Sequence, residues 1–113
     1  MTQPQTQNQS QKKTRRAMLE EFVVAHPADG FARYGLAMEC ASTGDNAAAV
    51  ENYEKLLASH PQYVSGYFQY GQLLARLARI DDARRILTSG IEAARRSGDE
   101  HAASEMETAL AQL

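Results

Sequence analysis

The chain has 113 residues, 43% of them hydrophobic, a formal net charge of −2 and one cysteine. That length holds a single domain with a small core, and so slight a charge sets up no field to gather nucleic acid or an anionic membrane. One cysteine closes no intramolecular disulfide, no apolar run approaches the ~20 residues of a transmembrane helix, and the N-terminus lacks the apolar stretch of a signal peptide, so a soluble cytoplasmic protein is expected.

Residues 1–13, MTQPQTQNQSQKK, carry almost nothing that could be buried and are expected to form a disordered, Gln-rich leader. A first helix is predicted from Thr14, a candidate N-cap, to Ala25, with Met18, Leu19, Phe22 and Val23 as its apolar stripe. His26-Pro27 ends it, because the residue before proline is pushed out of the helical region. The next helix runs from about Asp29 to Ser42 and is apolar nearly all round through Phe31, Tyr34, Leu36, Ala37, Met38, Cys40 and Ala41. Gly44 suits the left-handed position after a helix, and Asp45 or Asn46 caps a third helix to Ser59, with Ala49, Val50, Tyr53, Leu56 and Leu57 inward.

His60-Pro61 is a second break. A fourth helix is predicted from Gln62 to Leu77, its bulk supplied by Tyr63, Tyr67, Phe68, Tyr70, Leu73 and Leu74. Asp81 is the expected cap of a fifth, from about Asp82 to Arg96 and on to Ser97-Gly98, with Ile86, Leu87 and Ile91 inward. Asp99 caps a sixth, on which Ala102, Ala103, Met106, Ala109, Leu110 and Leu113 share a stripe and Glu100, Ser104, Glu105, Glu107, Thr108 and Gln112 offer a polar outer face.

The chain repeats itself. At a shift of 34 residues His26-Pro27 falls on His60-Pro61, Leu36 on Tyr70, Ala49 on Ala83, Tyr53 on Leu87 and Leu57 on Ile91. One copy reads Arg33, Leu36, Ala37, Cys40, Ala49, Tyr53 and Pro61, and the next Tyr67, Tyr70, Gly71, Leu74, Ala83, Leu87 and Arg95. Spacing and residue types resemble the tetratricopeptide repeat, a 34-residue helix-turn-helix unit. The likeness covers roughly residues 14–113, with Arg33 in place of a large aromatic and Arg95 in place of the closing proline. The small residues Ala37, Ala49, Gly71 and Ala83 let two helices of a hairpin approach closely. The expected fold is all-α, a right-handed solenoid of about two and a half hairpins: a half repeat over 14–29, repeats over 30–63 and 64–97, and a capping helix over 98–113.

No constellation for catalysis or cofactor binding converges, so no enzyme and no cofactor are expected. His26 and His60 are explained as one position of the repeat, and a metal needs three or four convergent ligands. His101 reads as a surface residue and Cys40 as a buried core thiol. The acidic neighbours Glu20-Glu21, Asp81-Asp82 and Asp99-Glu100 point about 100° apart on a helix and do not pair as catalytic carboxylates. The arginines at 76, 79, 84, 85, 95 and 96 offer a weak nucleic-acid contact as one alternative. Pairing of Asp81 with Arg85 and of Glu92 with Arg95 or Arg96, and the lack of interleaved aromatics, favour a solvated face instead.

The resemblance implies a protein-interaction module, an adaptor that binds a partner protein or peptide in the concave groove lined by the first helix of each hairpin. By register the lining residues are Phe31, Tyr34, Met38, Ala41, Ser42, Ser65, Phe68, Gln72, Ala75 and Arg76. Tyr34, Met38 and Phe68 are the expected anchors, with Arg76 reading an acidic group on the partner. Tyr34 and Met38 replace the lysine and asparagine with which some family members clamp a partner's C-terminal carboxylates, so that mode of binding is not expected. Two arrangements compete: the terminal helices fold over the strip, or the chain forms a homo-oligomer through an open edge at Met18, Leu19 and Phe22.

Overall fold

A computed structural model describes residues 13–113, and the N-terminal leader lies outside the described residues apart from Lys13. Six helices follow one another: α1 (Arg15–Ala25), α2 (Gly30–Ser42), α3 (Asn46–Ser59), α4 (Val64–Arg76), α5 (Ile80–Arg96) and α6 (Glu100–Ala111). Each packs on the next, and α4 also touches α2 and α6. The result is an all-α solenoid of antiparallel hairpins in which α2, α4 and α6 lie side by side.

Two kinds of turn alternate, and each is written into the sequence. After α1 and α3, His26 and His60 adopt the same backbone conformation (φ −133°, ψ 68° and φ −133°, ψ 72°) and donate their N–H to the carbonyls of Phe22 and Leu56. Proline at the following position keeps each histidine out of the helical region, and the shared conformation makes the two histidines structural equivalents. After α2, α4 and α5 the chain closes by a bond across five residues: Asp45 to Cys40 (2.9 Å), Arg79 to Leu74 (2.9 Å) and Asp99 to Ala94 (2.8 Å), each N–H donating to the carbonyl. Such a closure puts one residue in the left-handed region. Gly44 (φ 87°) and Gly98 (φ 79°) take it at little cost, whereas the α4–α5 turn uses Ala78 (φ 61°).

The capping reading holds at four helix starts. Thr14, Asp29, Asp45 and Asp99 accept from the N–H of Ala17, Ala32, Ala48 and Ala102. It fails at the other two. Helix α4 starts at Val64 rather than Gln62, behind Tyr63, whose side chain makes no capping bond. Helix α5 starts two residues before Asp82, behind Arg79 rather than Asp81. Asp81 and Asp82 lie in its first turn, where they complement the positive helix end. The ion pairs shift accordingly: Asp81 meets Arg84, not Arg85, and Asp82 meets Arg79 and Arg85. Arg95 reaches across to Glu107 and Glu100 on α6 instead of pairing with Glu92.

Small residues set the helix spacing. Ala37, Ala49 and Ala83 are wholly buried. At Gly71 an added Cβ would stand 2.6 Å from Leu87 Cδ2, and at Gly90 it would stand 2.5 Å from Tyr67 Cβ and 2.6 Å from Met106 Sδ. Gly90 is therefore the point where α4 and α6 both close on α5. Arg33, placed where its counterpart is the aromatic Tyr67, donates to Asn52 Oδ1 at 2.9 Å, so a polar pair spans α2 and α3 at that corner. Between hairpins Tyr53 and Tyr70 stack at 5.4 Å, and the Tyr70 hydroxyl donates to Glu54.

The first helix departs from its predicted stripe. Val23 is buried and Leu19 packs on the core, but Met18 is 53% and Phe22 43% exposed. Arg15 stands where the later repeats have Ala49 and Ala83, and it holds Glu39 on α2 at 3.2 Å. A bulky charged residue thus stands on α1 at a position where α3 and α5 carry a wholly buried alanine.

Gly90→Ala is expected to destabilise the protein by about 1–3 kcal/mol, because Tyr67 Cβ sits next to the backbone and yields little. Ala78→Gly is expected to stabilise by about 0.5–1 kcal/mol, by relieving the left-handed alanine. Urea unfolding followed by circular dichroism measures both, and equal midpoints for wild type and Gly90→Ala would contradict the close-approach argument.

Candidate functional site

Alternate helices of the hairpins face one way, and four connected clefts run across that face. The first, about 400 Å³, is lined by Arg15, Phe31, Tyr34, Gly35, Met38, Glu39 and Ser42. A second, about 200 Å³, joins Met38, Ala41 and Ser42 to Tyr53, Gln69 and Arg76. A third, about 210 Å³, lies between Tyr34, Ser65, Phe68 and Gln69 on one side and Asp99, His101 and Glu105 on the other. A fourth, about 280 Å³, is lined by Phe68, Gln72, Glu105, Thr108, Ala109 and Gln112. An adjoining cleft of about 300 Å³ reaches past Gly71, Gln72, Ala75 and Arg76 to Leu87 and Leu113.

All ten groove residues read from the repeat register, from Phe31 to Arg76, line one of these clefts. The terminal helices do not cover the strip: Phe31 is 76% and Met38 38% exposed. Tyr34 and Phe68 are half-buried and pack against the core, and the Tyr34 ring lies 5.2 Å from that of Tyr63. What the sequence reading missed is the third wall. Helix α6 was read as a cap, yet Asp99, His101, Glu105, Thr108 and Gln112 line the same face. The signal was present in its position, one place beyond α4 in the alternation that puts α2 and α4 on the groove. The register masked it. Without a proline at 95, α5 runs three residues past the place matching Ser59, so Asp99 caps α6 two residues late relative to Tyr63.

The remaining chemistry-bearing residues stay apart. His26 stacks on Phe22 at 4.2 Å and Cys40 is buried, where loss of water raises its thiol pKa. Among the described residues no three His, Cys, Asp or Glu side chains gather as a metal site would require. Arg79, Arg84, Arg85 and Arg95 each face a carboxylate. No described helix is long and apolar enough to cross a membrane.

Hairpins stacked into a solenoid with one open, side-chain-lined face define a helical-repeat scaffold, a class that acts in general by protein–protein interaction and is in general non-catalytic. Residues 41–113 match the family model for the tetratricopeptide repeat. The solution structure of a tetratricopeptide repeat domain protein from Salinibacter ruber is 37% identical, with 76% of this chain and 87% of that chain covered and a TM-score of 0.73. A crystal structure of the Salinibacter ruber protein agrees, at 37% identity, 74% and 94% coverage and a TM-score of 0.70. A protein from Bordetella parapertussis shares the fold at 22% identity, 89% and 88% coverage and a TM-score of 0.76. No curated protein sequence matches the chain. The chain belongs to the tetratricopeptide repeat family.

All five tyrosines have phenol pKa values pushed upward, in each case first by burial; the Tyr70 hydroxyl is further held protonated by its bond to Glu54. An acid whose pKa is raised on folding favours the folded state below its unfolded pKa, about 10, and that contribution is lost as pH climbs toward the folded value. Stability is therefore expected to be insensitive to pH just below 10 and to fall above it. Phenolate absorbance should rise late and together with the loss of helical circular dichroism; a full titration near pH 10 with the helices intact would refute this.

Proposed function

We propose that the protein is a non-enzymatic adaptor that docks a segment of a partner protein across the face formed by α2 and α4. Tyr34, Met38 and Phe68 anchor apolar side chains of the partner, Phe31 extends the apolar strip, and Arg76 reads an acidic group, with Ser42, Ser65 and Gln72 as polar contacts. The observation that carries this reading is the exposure of Phe31 (76%) and Met38 (38%) on the face that alternate helices share. Aromatic and methionine side chains left open in a cleft gain most from a partner that removes them from water. The family's general role as an interaction scaffold supports the same reading.

The test is affinity capture from lysate of the source organism, comparing wild type with Phe31→Ala/Met38→Ala, both of whose side chains are already open to solvent. A protein retained by wild type and lost by the variant, whose helical content is unchanged, supports the groove. Identical sets on both would move attention away from it.

A second reading rests on a separate observation: Met18 and Phe22 lie 53% and 43% exposed on the outer edge of α1. Self-association through this edge would raise the mass measured by light scattering as concentration increases, and Met18→Ser/Phe22→Ser would restore the monomer mass. A constant monomer mass over the concentration series rules this second reading out.

A further inference from the structure

The groove has a sign pattern as well as an apolar strip. Arg15 and Glu39, in the cleft over α2, satisfy each other at 3.2 Å. Asp99, at the start of α6, is committed to its own helix, accepting from the N–H of Ala102. Two charged side chains of this face are left over. Arg76, exposed at the end of α4, has no ion-pair partner among the described residues. Glu105 on α6 has only His101 beside it, at 3.7 Å, a pair that exists only while that imidazole is protonated.

These two charges occupy opposite ends of one continuous trough. Glu105 shares clefts with Phe68 and Gln69, and Arg76 shares the adjoining cleft with Gln72 and Gln112. Arg76 lies seven residues beyond Gln69 on α4, about 10 Å along the axis at ~1.5 Å per residue. Between them the floor is the Phe68 ring and the small side chain of Ala109, and the rim is amide and hydroxyl from Gln72, Gln112 and Thr108. Unpaired surface charges of opposite sign, held at a fixed spacing on rigid helices, discriminate among partners more than they add affinity.

Resting on the groove reading above, we infer that the partner segment recognised here is a dipolar peptide. It sets an apolar side chain on Phe68, a lysine or arginine against Glu105, and an aspartate or glutamate against Arg76. That axial offset is a minimum, because Glu105 stands on the neighbouring helix α6, so in an extended chain at ~3.3 Å per residue the two charges are at least about three residues apart. The order of signs fixes the direction in which the segment crosses from α6 toward the end of α4. Single-sign peptides, acidic or basic throughout, place a like charge at one of the two sites and bind less well.

Selection of random dodecapeptides displayed on phage tests this directly. The baits are wild type, Arg76→Glu, Glu105→Lys and the double reversal, each checked for unchanged helical circular dichroism; Arg76→Gln and Glu105→Gln serve as the milder pair. Wild type is expected to enrich sequences with a base and an acid at least about three residues apart and an apolar residue between them. The double reversal should enrich the same spacing with the signs exchanged. A synthetic peptide selected on wild type should lose about tenfold in affinity for either single reversal and regain it when its matching charge is inverted. Enrichment of the same sequences on wild type and on the double reversal would overturn the dipolar inference while leaving the apolar groove standing. Failure of every bait to enrich any sequence would overturn the groove reading, and the inference with it.

Discussion

The close approach at Gly90 is the constraint on which the shape of the groove depends. One missing Cβ lets Tyr67 of α4 and Met106 of α6 both reach the backbone of α5. That contact sets α6 beside α4 as a third helix of the same face. Gly71 against Leu87 sets the spacing within the α4–α5 hairpin in the same way. Bulk at either place would push two helices apart, and because neighbouring hairpins pack on one another, the displacement would pass along the stack. The site is a consequence of this packing, since no single helix contains it.

The two hairpins meet that constraint with different chemistry. The first spans its corner with the Arg33–Asn52 hydrogen bond, and the second with Tyr67, whose hydroxyl donates to the carbonyl of Pro61 at 2.6 Å. A hydrogen-bonded polar pair at a half-buried corner contributes modestly to stability, but it tolerates water better than an aromatic would. The α4–α5 turn carries the least favourable local chemistry of the stack, with Ala78 in the left-handed region and Arg79 in place of a capping aspartate. Its stability comes from burial of Ile86, Leu87 and Leu74 rather than from local preference.

The first and last described helices differ in kind. Helix α6 carries glutamates and small polar residues on its exposed side, with Arg95 and Glu107 tying α5 to α6. The α1 end keeps Met18 and Phe22 partly open, with Arg15 standing where the later repeats have alanine. A chain built from one repeat thus presents an apolar edge, an apolar-to-charged groove and an acidic edge, three surfaces of different character from one motif.

The sequence alone determined the helices and their order, because the signals are local. His26-Pro27 and His60-Pro61 stop helices by sterics, Gly44 and Gly98 close them by permitting positive φ, and Thr14, Asp29, Asp45 and Asp99 cap them through one bond each. The 34-residue spacing also carried the family, and with it the face on which Phe31, Tyr34, Met38, Phe68 and Arg76 lie. The starts of α4 and α5 escaped it, since Tyr63 and Arg79 occupy the cap positions and neither makes a side-chain capping bond. Only the tertiary structure decided that Phe31 and Met38 stay open, that Met18 and Phe22 are left exposed on α1, and that α6 walls the groove with Glu105. Each of those is set by which helices stand beside one another, for α6 through the close approach at Gly90, a long-range outcome of packing that no local pattern encodes.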